Sequence, residues 1–200
     1  MKTKSKLSPD REKIYQIAEQ QAGYFNSQQA RATGYTQPLL AYHTRTGHFV
    51  RIKRGVYRLA LFPEVPFADL FVAWLQAGQD SVISHDSALV VYGLSDILPS
   101  RIHITMPRTA SRRRKDLRLH TNRLTPAEIT RREGLPVTTV ARTLADVITS
   151  GLGEEQVQQA VREAVARGLV SEKALLRYAT RRGKRVSRVI HRAIQPEQSA

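Results

Sequence analysis

Gln37, Ala41, Tyr42 and Arg45 recur every three or four residues between Thr36 and Gly47. A helix over this segment puts them on one face, with Leu39, Leu40 and His43 on the other. Gln and Arg offer the paired donors and acceptors that match adenine and guanine edges in the major groove. Arg51, Lys53 and Arg54 follow beside Gly55. At a hairpin tip such residues are point charges suited to phosphate rather than to a base edge. Ser27, Gln28 and Thr36, at the starts of two short helices, complete a candidate DNA-binding set. The same residues have a plainer alternative use, as a protein-contact helix beside a solvated hairpin.

Two other strings carry reactive types. Ser84-His85-Asp86-Ser87 holds the residue types of a catalytic triad. Consecutive residues point in different directions, however, whereas a triad needs convergence. Ser84 as a helix N-cap and Asp86 in the first turn account for the string without catalysis. Arg112-Arg113-Arg114-Lys115 falls in a loop between two predicted strands. It is either a secondary contact for DNA or a partner, or a solvated charge run. The sequence has no Gly-rich phosphate loop ending in Lys-Ser/Thr and no His-Glu-x-x-His, and the acids of residues 61–100 show no ligand-like spacing. The expectation is no catalytic residue, no metal site and no cofactor.

The charge supports a polyanionic partner. Among 200 residues, 32 Lys and Arg stand against 17 Asp and Glu, a net +15. An excess of this size points most simply to nucleic acid. It is unevenly spread. Residues 1–60 hold 11 basic and three acidic groups, 61–100 five acids and no base, and 101–135 ten bases and three acids. Residues 136–180 balance, and 181–200 hold six bases and one acid. With 41% apolar and 24% charged residues the chain is globular in composition, not disordered. The absence of cysteine excludes disulfides, thiolate metal sites and thiol nucleophiles. The most apolar segment, 67–77, is too short to span a bilayer. The basic N-terminus leads into polar sequence rather than a secretory h-region. A cytoplasmic protein without membrane contact is expected.

The elements that must position these residues are legible. Ser8 as cap and Pro9 in the first turn predict a helix carrying Ile14, Ile17 and Ala18, ended by Gly23. Asn26 caps a second helix that stops at Gly34, and Thr36 caps a third with Pro38 in its first turn. The interval Gly34-Tyr35-Thr36 is that of a helix-turn-helix. Residues 48–52 and 56–59 alternate about Lys53-Arg54-Gly55 and predict a hairpin, the wing. Beyond Pro63 and Pro66, helices are predicted at 67–77 and from Ser84 to Gly93, and strands at 101–106 and 117–120. A capping box at Thr125-Pro126-Ala127-Glu128 comes next. An extended piece at 135–138 and helices near 140–149, 154–167 and 171–181 complete the set. The fold class is therefore α+β: a winged helix-turn-helix domain (1–62), a mixed α/β domain with a small sheet and several helices (63–182), and a basic tail (183–200).

Two blocks carry a family resemblance. Gly23-Tyr24-Phe25, Ala30, Gly34, Leu40, Gly47 and Val50-Arg51-Ile52-Lys53-Arg54-Gly55-Val56-Tyr57 resemble the winged-helix N-domain of AbiEi-type antitoxins. Ser84-His85-Asp86-Ser87-Ala88-Leu89, Tyr92-Gly93-Leu94, Ile102-His103-Ile104-Thr105 and Gly134-Leu135-Pro136-Val137-Thr138-Thr139 with Ala141 to Asp146 resemble the domain that follows it. The resemblance implies the antitoxin of a type IV toxin–antitoxin, or abortive-infection, pair. Such a protein binds repeats in its own promoter, represses it, and counters a nucleotidyltransferase-class toxin encoded nearby. By position, Gln37, Tyr42, Arg45, Lys53 and Arg54 become the DNA readers, on a monomer that binds repeats cooperatively. The sequence departs from the family in having His43 where a leucine is usual, and it ends before the nuclease-like domain found in some relatives. A stand-alone winged-helix regulator without a toxin, or a nucleic-acid-processing enzyme, are the competing readings.

Overall fold

The computed structural model describes residues 8–95, 99–108 and 115–195. The chain divides into two compact units, Met1–Gln79 and Asp80–Ala200.

In the first unit, α1 spans Arg11–Glu19. Its N-cap is Asp10 rather than the expected Ser8: the carboxylate accepts from the Lys13 N–H at 2.9 Å. A carboxylate in that place both satisfies an orphan amide and faces the positive end of the helix dipole. The Asp10 amide in turn donates to the Thr33 carbonyl at 2.8 Å. A strand not foreseen from the sequence follows, β1 (Tyr24–Asn26); three residues are too few for alternation to show. Asn26 then caps α2 (Ser27–Ala32), accepting from the amides of Gln28 and Gln29, while Gln29 Oε1 accepts from the Asn26 amide to complete a capping box. Gly34 takes φ +86°, the left-handed turn that only glycine adopts at no steric cost. Thr36 caps α3 (Gln37–Arg45).

The wing is β2 (Phe49–Lys53) and β3 (Val56–Leu59). With β1 it forms an antiparallel sheet in the order β1-β3-β2, Tyr57 lying opposite both Phe25 and Arg51. The core beneath joins Ile14, Ala18, Phe25, Ala30, Tyr35, Leu40, Phe49, Tyr57 and Leu59. Leu40 is the buried anchor of α3, a burial that stabilises by roughly 2–3 kcal/mol. The helix α4 (Ala68–Ala77) also belongs to this unit, beyond the expected boundary at residue 62. It packs on β1 and β3, with Phe71 stacked on Tyr24 at 5.9 Å.

The second unit is built on a mixed five-stranded sheet. Its strands are β4 (Val82–Ile83), β5 (Ile102–Thr105), β6 (Leu117–His120), β7 (Ile129–Arg132) and β8 (Leu135–Thr138), in the order β6-β5-β4-β8-β7. The β6/β5 and β4/β8 pairs are parallel and the other two antiparallel. The capping box at Thr125 closes only a 3-10 turn, Pro126–Glu128, before β7 begins. Among the described residues, the unit also holds the α-helices α5 (His85–Tyr92), α6 (Val140–Ser150), α7 (Glu154–Ala166), α8 (Glu172–Arg182) and α9 (Lys184–Ile194). Eight of the eleven residues of α6 are buried, as expected of a helix enclosed on several sides; it packs against α5, α7, α8 and α9. Residues 184–194, read from the sequence as tail, are ordered as α9 because Val186, Ile190 and Ala193 form a buried stripe against α7 and α8. Among the described residues no helix is long and apolar enough to cross a membrane.

Candidate nucleic-acid interface

The helix-turn-helix is held by its turn. Tyr35 is buried, its amide donates to the Ala30 carbonyl at 2.9 Å, and the Thr33 hydroxyl donates to the same carbonyl at 2.9 Å. This fixes α3 so that Gln37, Ala41, Tyr42 and Arg45 are all exposed, while Leu40 is buried and Leu39 and His43 are half-buried. Tyr42 keeps 49% of its surface exposed, and the Arg45 guanidinium lies 5.8 Å from its ring centroid. The two form an exposed cation–π pair. Thr36 is exposed but its hydroxyl accepts from the Leu39 amide at 3.4 Å.

The wing presents Arg51, Lys53 and Arg54, all exposed. The register slips between Arg51 and Lys53, and Gly55 takes φ +78°. A bulge of this kind increases local twist and re-aims the side chains at a hairpin tip. Ser27 is committed to that tip: its amide and hydroxyl both donate to the Gly55 carbonyl, at 2.9 and 3.3 Å. Ser27 therefore ties the start of α2 to the wing, and Gln28 stands exposed next to it. Of the nine first-unit residues expected to touch DNA, seven lie on α3 or the wing or immediately cap α3, and Ser27 is bonded to the wing turn. Not every cation of this unit is available in the same way. Arg58 is half-buried, donates to the Phe62 carbonyl and lies over Tyr24. His43 packs among Tyr35, Phe49 and His48, and burial lowers its pKa. The expected secondary contact is only partly visible: Lys115 is exposed, while Arg112, Arg113 and Arg114 lie outside the described residues.

Ser84-His85-Asp86-Ser87 departs from its expected role. Ser84 occupies the N-cap of α5, yet its side chain caps nothing there. Its Oγ instead accepts from the Thr105 hydroxyl at 2.9 Å and lies 3.0 Å from His85 Nδ1. Ser87 Oγ accepts from the His103 amide at 2.9 Å. Asp86 lies beside His103, with Oδ2 3.4 Å from Nδ1. The serine and the carboxylate thus face different histidines, so no triad assembles. The string binds α5 to β5, and it brings His85, His103 and His120 together, a grouping the sequence reading missed. The missed signal was three histidines at the start of α5, within β5 and at the end of β6.

A second group also escaped sequence reading. Arg142, completely buried, bonds Asp146 through Nε at 2.7 Å and Glu128 through Nη1 at 3.0 Å. Arg182 reaches Asp146, and the Tyr178 hydroxyl donates to Glu128. Burial alone would raise the Glu128 pKa, but Tyr178, the Thr125 amide and Arg142 outweigh it and hold it at about 2. Arg142 and Asp146 stand at i and i+4 on α6, but nothing local brings Glu128 and Tyr178 to them.

The comparisons with known proteins agree with this architecture. Residues 12–60, from α1 to the end of the wing, match the family described as transcriptional regulator, AbiEi antitoxin. The fold is similar to that of the Rv2827c protein from Mycobacterium tuberculosis, with a TM-score of 0.55 and 18% identity over 96% of this chain and 82% of that one. That likeness shows fold alone. No curated protein matches the chain. Over residues 12–60 the helix-turn-helix and wing are similar to the AbiEi-antitoxin family of transcriptional regulators.

Proposed function

We propose that the protein binds double-stranded DNA in its own promoter, with α3 in the major groove and the wing on the phosphate backbone, and so represses its own transcription. In this reading Gln37, Tyr42 and Arg45 read bases, while Arg51, Lys53 and Arg54 contact phosphate. Thr36, Ser27 and Gln28 set the approach, and Lys115 with the adjoining arginines adds a secondary contact. The second unit acts as the antitoxin module against a nucleotidyltransferase-class toxin, and the protein works in the cytoplasm without catalysis of its own.

The observation that carries the reading is a division of labour in the first unit. Its core residues hold α3 and the wing, and the exposed side chains of these elements include Gln37, Tyr42, Arg45, Arg51, Lys53 and Arg54 beside the apolar Val50 and Ile52. A recognition helix contacts base edges through its N-terminal residues, and Gln37 is the first residue of α3. Binding of full-length protein to a labelled fragment of its own promoter, against a shuffled fragment of equal length, tests the claim. Preference for the promoter by 10³-fold or more is the expected result. Equal affinity for both removes the repressor reading. Co-expression with the neighbouring gene tests the antitoxin role, which fails if that gene is harmless alone.

A further inference from the structure

The DNA-binding reading leaves three histidines of the second unit unused. His85 opens α5, His103 lies in β5 and His120 ends β6. Each presents a ring nitrogen within 4.8 Å of the other two. His85 is 2% exposed, His103 3%, and His120 is half-buried. Three buried polar atoms at this place have no hydrogen-bond partner: His103 Nδ1, His120 Nε2 and Asp86 Oδ1. Buried polar groups are normally hydrogen-bonded, so unpartnered atoms on two of these histidines and on the carboxylate beside them mark a place for a bound species. His85 also has φ +52°, a left-handed backbone that is strained for a non-glycine residue and recurs at functional sites.

We infer that His85, His103 and His120 form a binding site for one divalent first-row transition metal ion, zinc first among them, with Asp86 orienting His103. The donor set decides the class. The chain has no cysteine, and three imidazoles suit zinc, copper, nickel or iron, whereas calcium and magnesium require oxygen ligands. A tetrahedral zinc with bonds of 2.0–2.1 Å holds its ligand atoms about 3.4 Å apart. Nitrogens at most 4.8 Å apart reach that spacing when each moves inward by less than about 1 Å. The His85 and His120 rings, now stacked with centroids 3.5 Å apart and planes at 12°, open as they do so. A carboxylate beside a ligating imidazole fixes its tautomer and raises its basicity, which is the place Asp86 occupies beside His103.

Desolvation holds the rings neutral, His85 at about 2 and His103 and His120 at about 4. Neutral imidazole is the form that ligates. Two cations act on the cluster, Arg142 on His85 and Arg118 on all three. They oppose weak, purely electrostatic capture of an ion and leave directed nitrogen coordination as the means of binding. The inference is independent of whether the first unit binds DNA.

The test is a titration of tag-free, full-length protein, stripped with a chelator, with Zn²⁺ against a chromophoric competitor, and then with Co²⁺. One equivalent of zinc per chain is expected, together with the visible absorption of four-coordinate cobalt and a thermal midpoint that rises with zinc. His120→Gln abolishes uptake, and far-UV circular dichroism verifies that this variant keeps its fold. Asp86→Asn weakens zinc binding by about 10–100-fold. His43→Gln/His48→Gln leaves the stoichiometry at one. Wild-type protein that takes up no zinc overturns the inference, whatever the variants do. So does uptake that survives His120→Gln or is lost with His43 and His48.

Discussion

Neutralising the wing tests the interface most directly. Arg51, Lys53 and Arg54 are exposed, and in β2 only Phe49 is buried. Replacing all three with Gln therefore removes charge without touching the core, and thermal stability should stay within about 0.5 kcal/mol of the parent. If each side chain neutralises one phosphate, the three together contribute about 2.7 to the slope of log affinity against log salt. Raising salt from about 50 to about 200 mM is a fourfold change, which each contact converts into a loss of about 3.5-fold and three contacts into about 40-fold. The parent should thus lose about 40-fold more affinity than the triple variant over that range. Fluorescence anisotropy on a labelled promoter fragment at five or six salt concentrations measures both slopes. Gln keeps a polar, hydrogen-bonding side chain while removing the charge, and the salt slope responds to charge. Parallel slopes, within about half a unit, would refute the placement of the wing on the backbone even if overall affinity fell.

Three further outcomes are expected. Arg45→Ala should cost about 1–3 kcal/mol of binding and relax preference at one base position, measured by selection on a randomised half-site; a uniform loss across sequences makes Arg45 a phosphate contact instead. Arg142→Met leaves Asp146 and Glu128 without their shared partner and should destabilise the second unit by about 3–5 kcal/mol by denaturant titration, with most of the loss recovered when Asp146→Leu and Glu128→Gln are added. Glu128, with a folded pKa near 2 against an ordinary 4.5, contributes stability that is whole above about pH 4.5 and is lost as pH falls toward 2. Glu128→Gln should therefore flatten the acid limb of the stability profile while leaving its alkaline side unchanged in shape, as followed by thermal melts between about pH 2 and pH 7.

The first unit was legible almost element by element because its signals are local. Asn26 and Thr36 are caps whose side-chain oxygens accept from amides two or three residues away. Gly34 is a left-handed stop, and the spacing of Leu40 and Arg45 decides which face of α3 is inward. What failed there failed for lack of length. A three-residue strand shows no alternation, and Asp10 competed with Ser8 for one cap within the same turn. In the second unit the helices α6, α7 and α8 were legible from apolar spacing. The strand β7 was not, since Ile129-Thr130-Arg131-Arg132 is mostly exposed at the sheet edge and carries no buried alternation.

The two polar clusters were invisible for a different reason. Glu128 and Arg142 stand fourteen positions apart, and Arg142 and Arg182 forty; their meeting depends on α6 and α8 packing together beside the turn before β7. Likewise, β5 and β6 pair in parallel with Thr105 opposite His120, so His120 arrives at the height of the strand end where Ser84 and Thr105 are bonded. Parallel pairing requires a crossover whose register no local pattern encodes. The string Ser84-His85-Asp86-Ser87 looked like a cap because its neighbours in sequence explain it adequately in that way. In space its side chains turn away from the helix they begin: Ser84 toward Thr105, Ser87 toward His103, Asp86 toward His103. A helix start whose polar residues all forgo its own free amides has been shaped by what lies opposite, and what lies opposite is a pair of histidines, each with one buried ring nitrogen that has no hydrogen-bond partner.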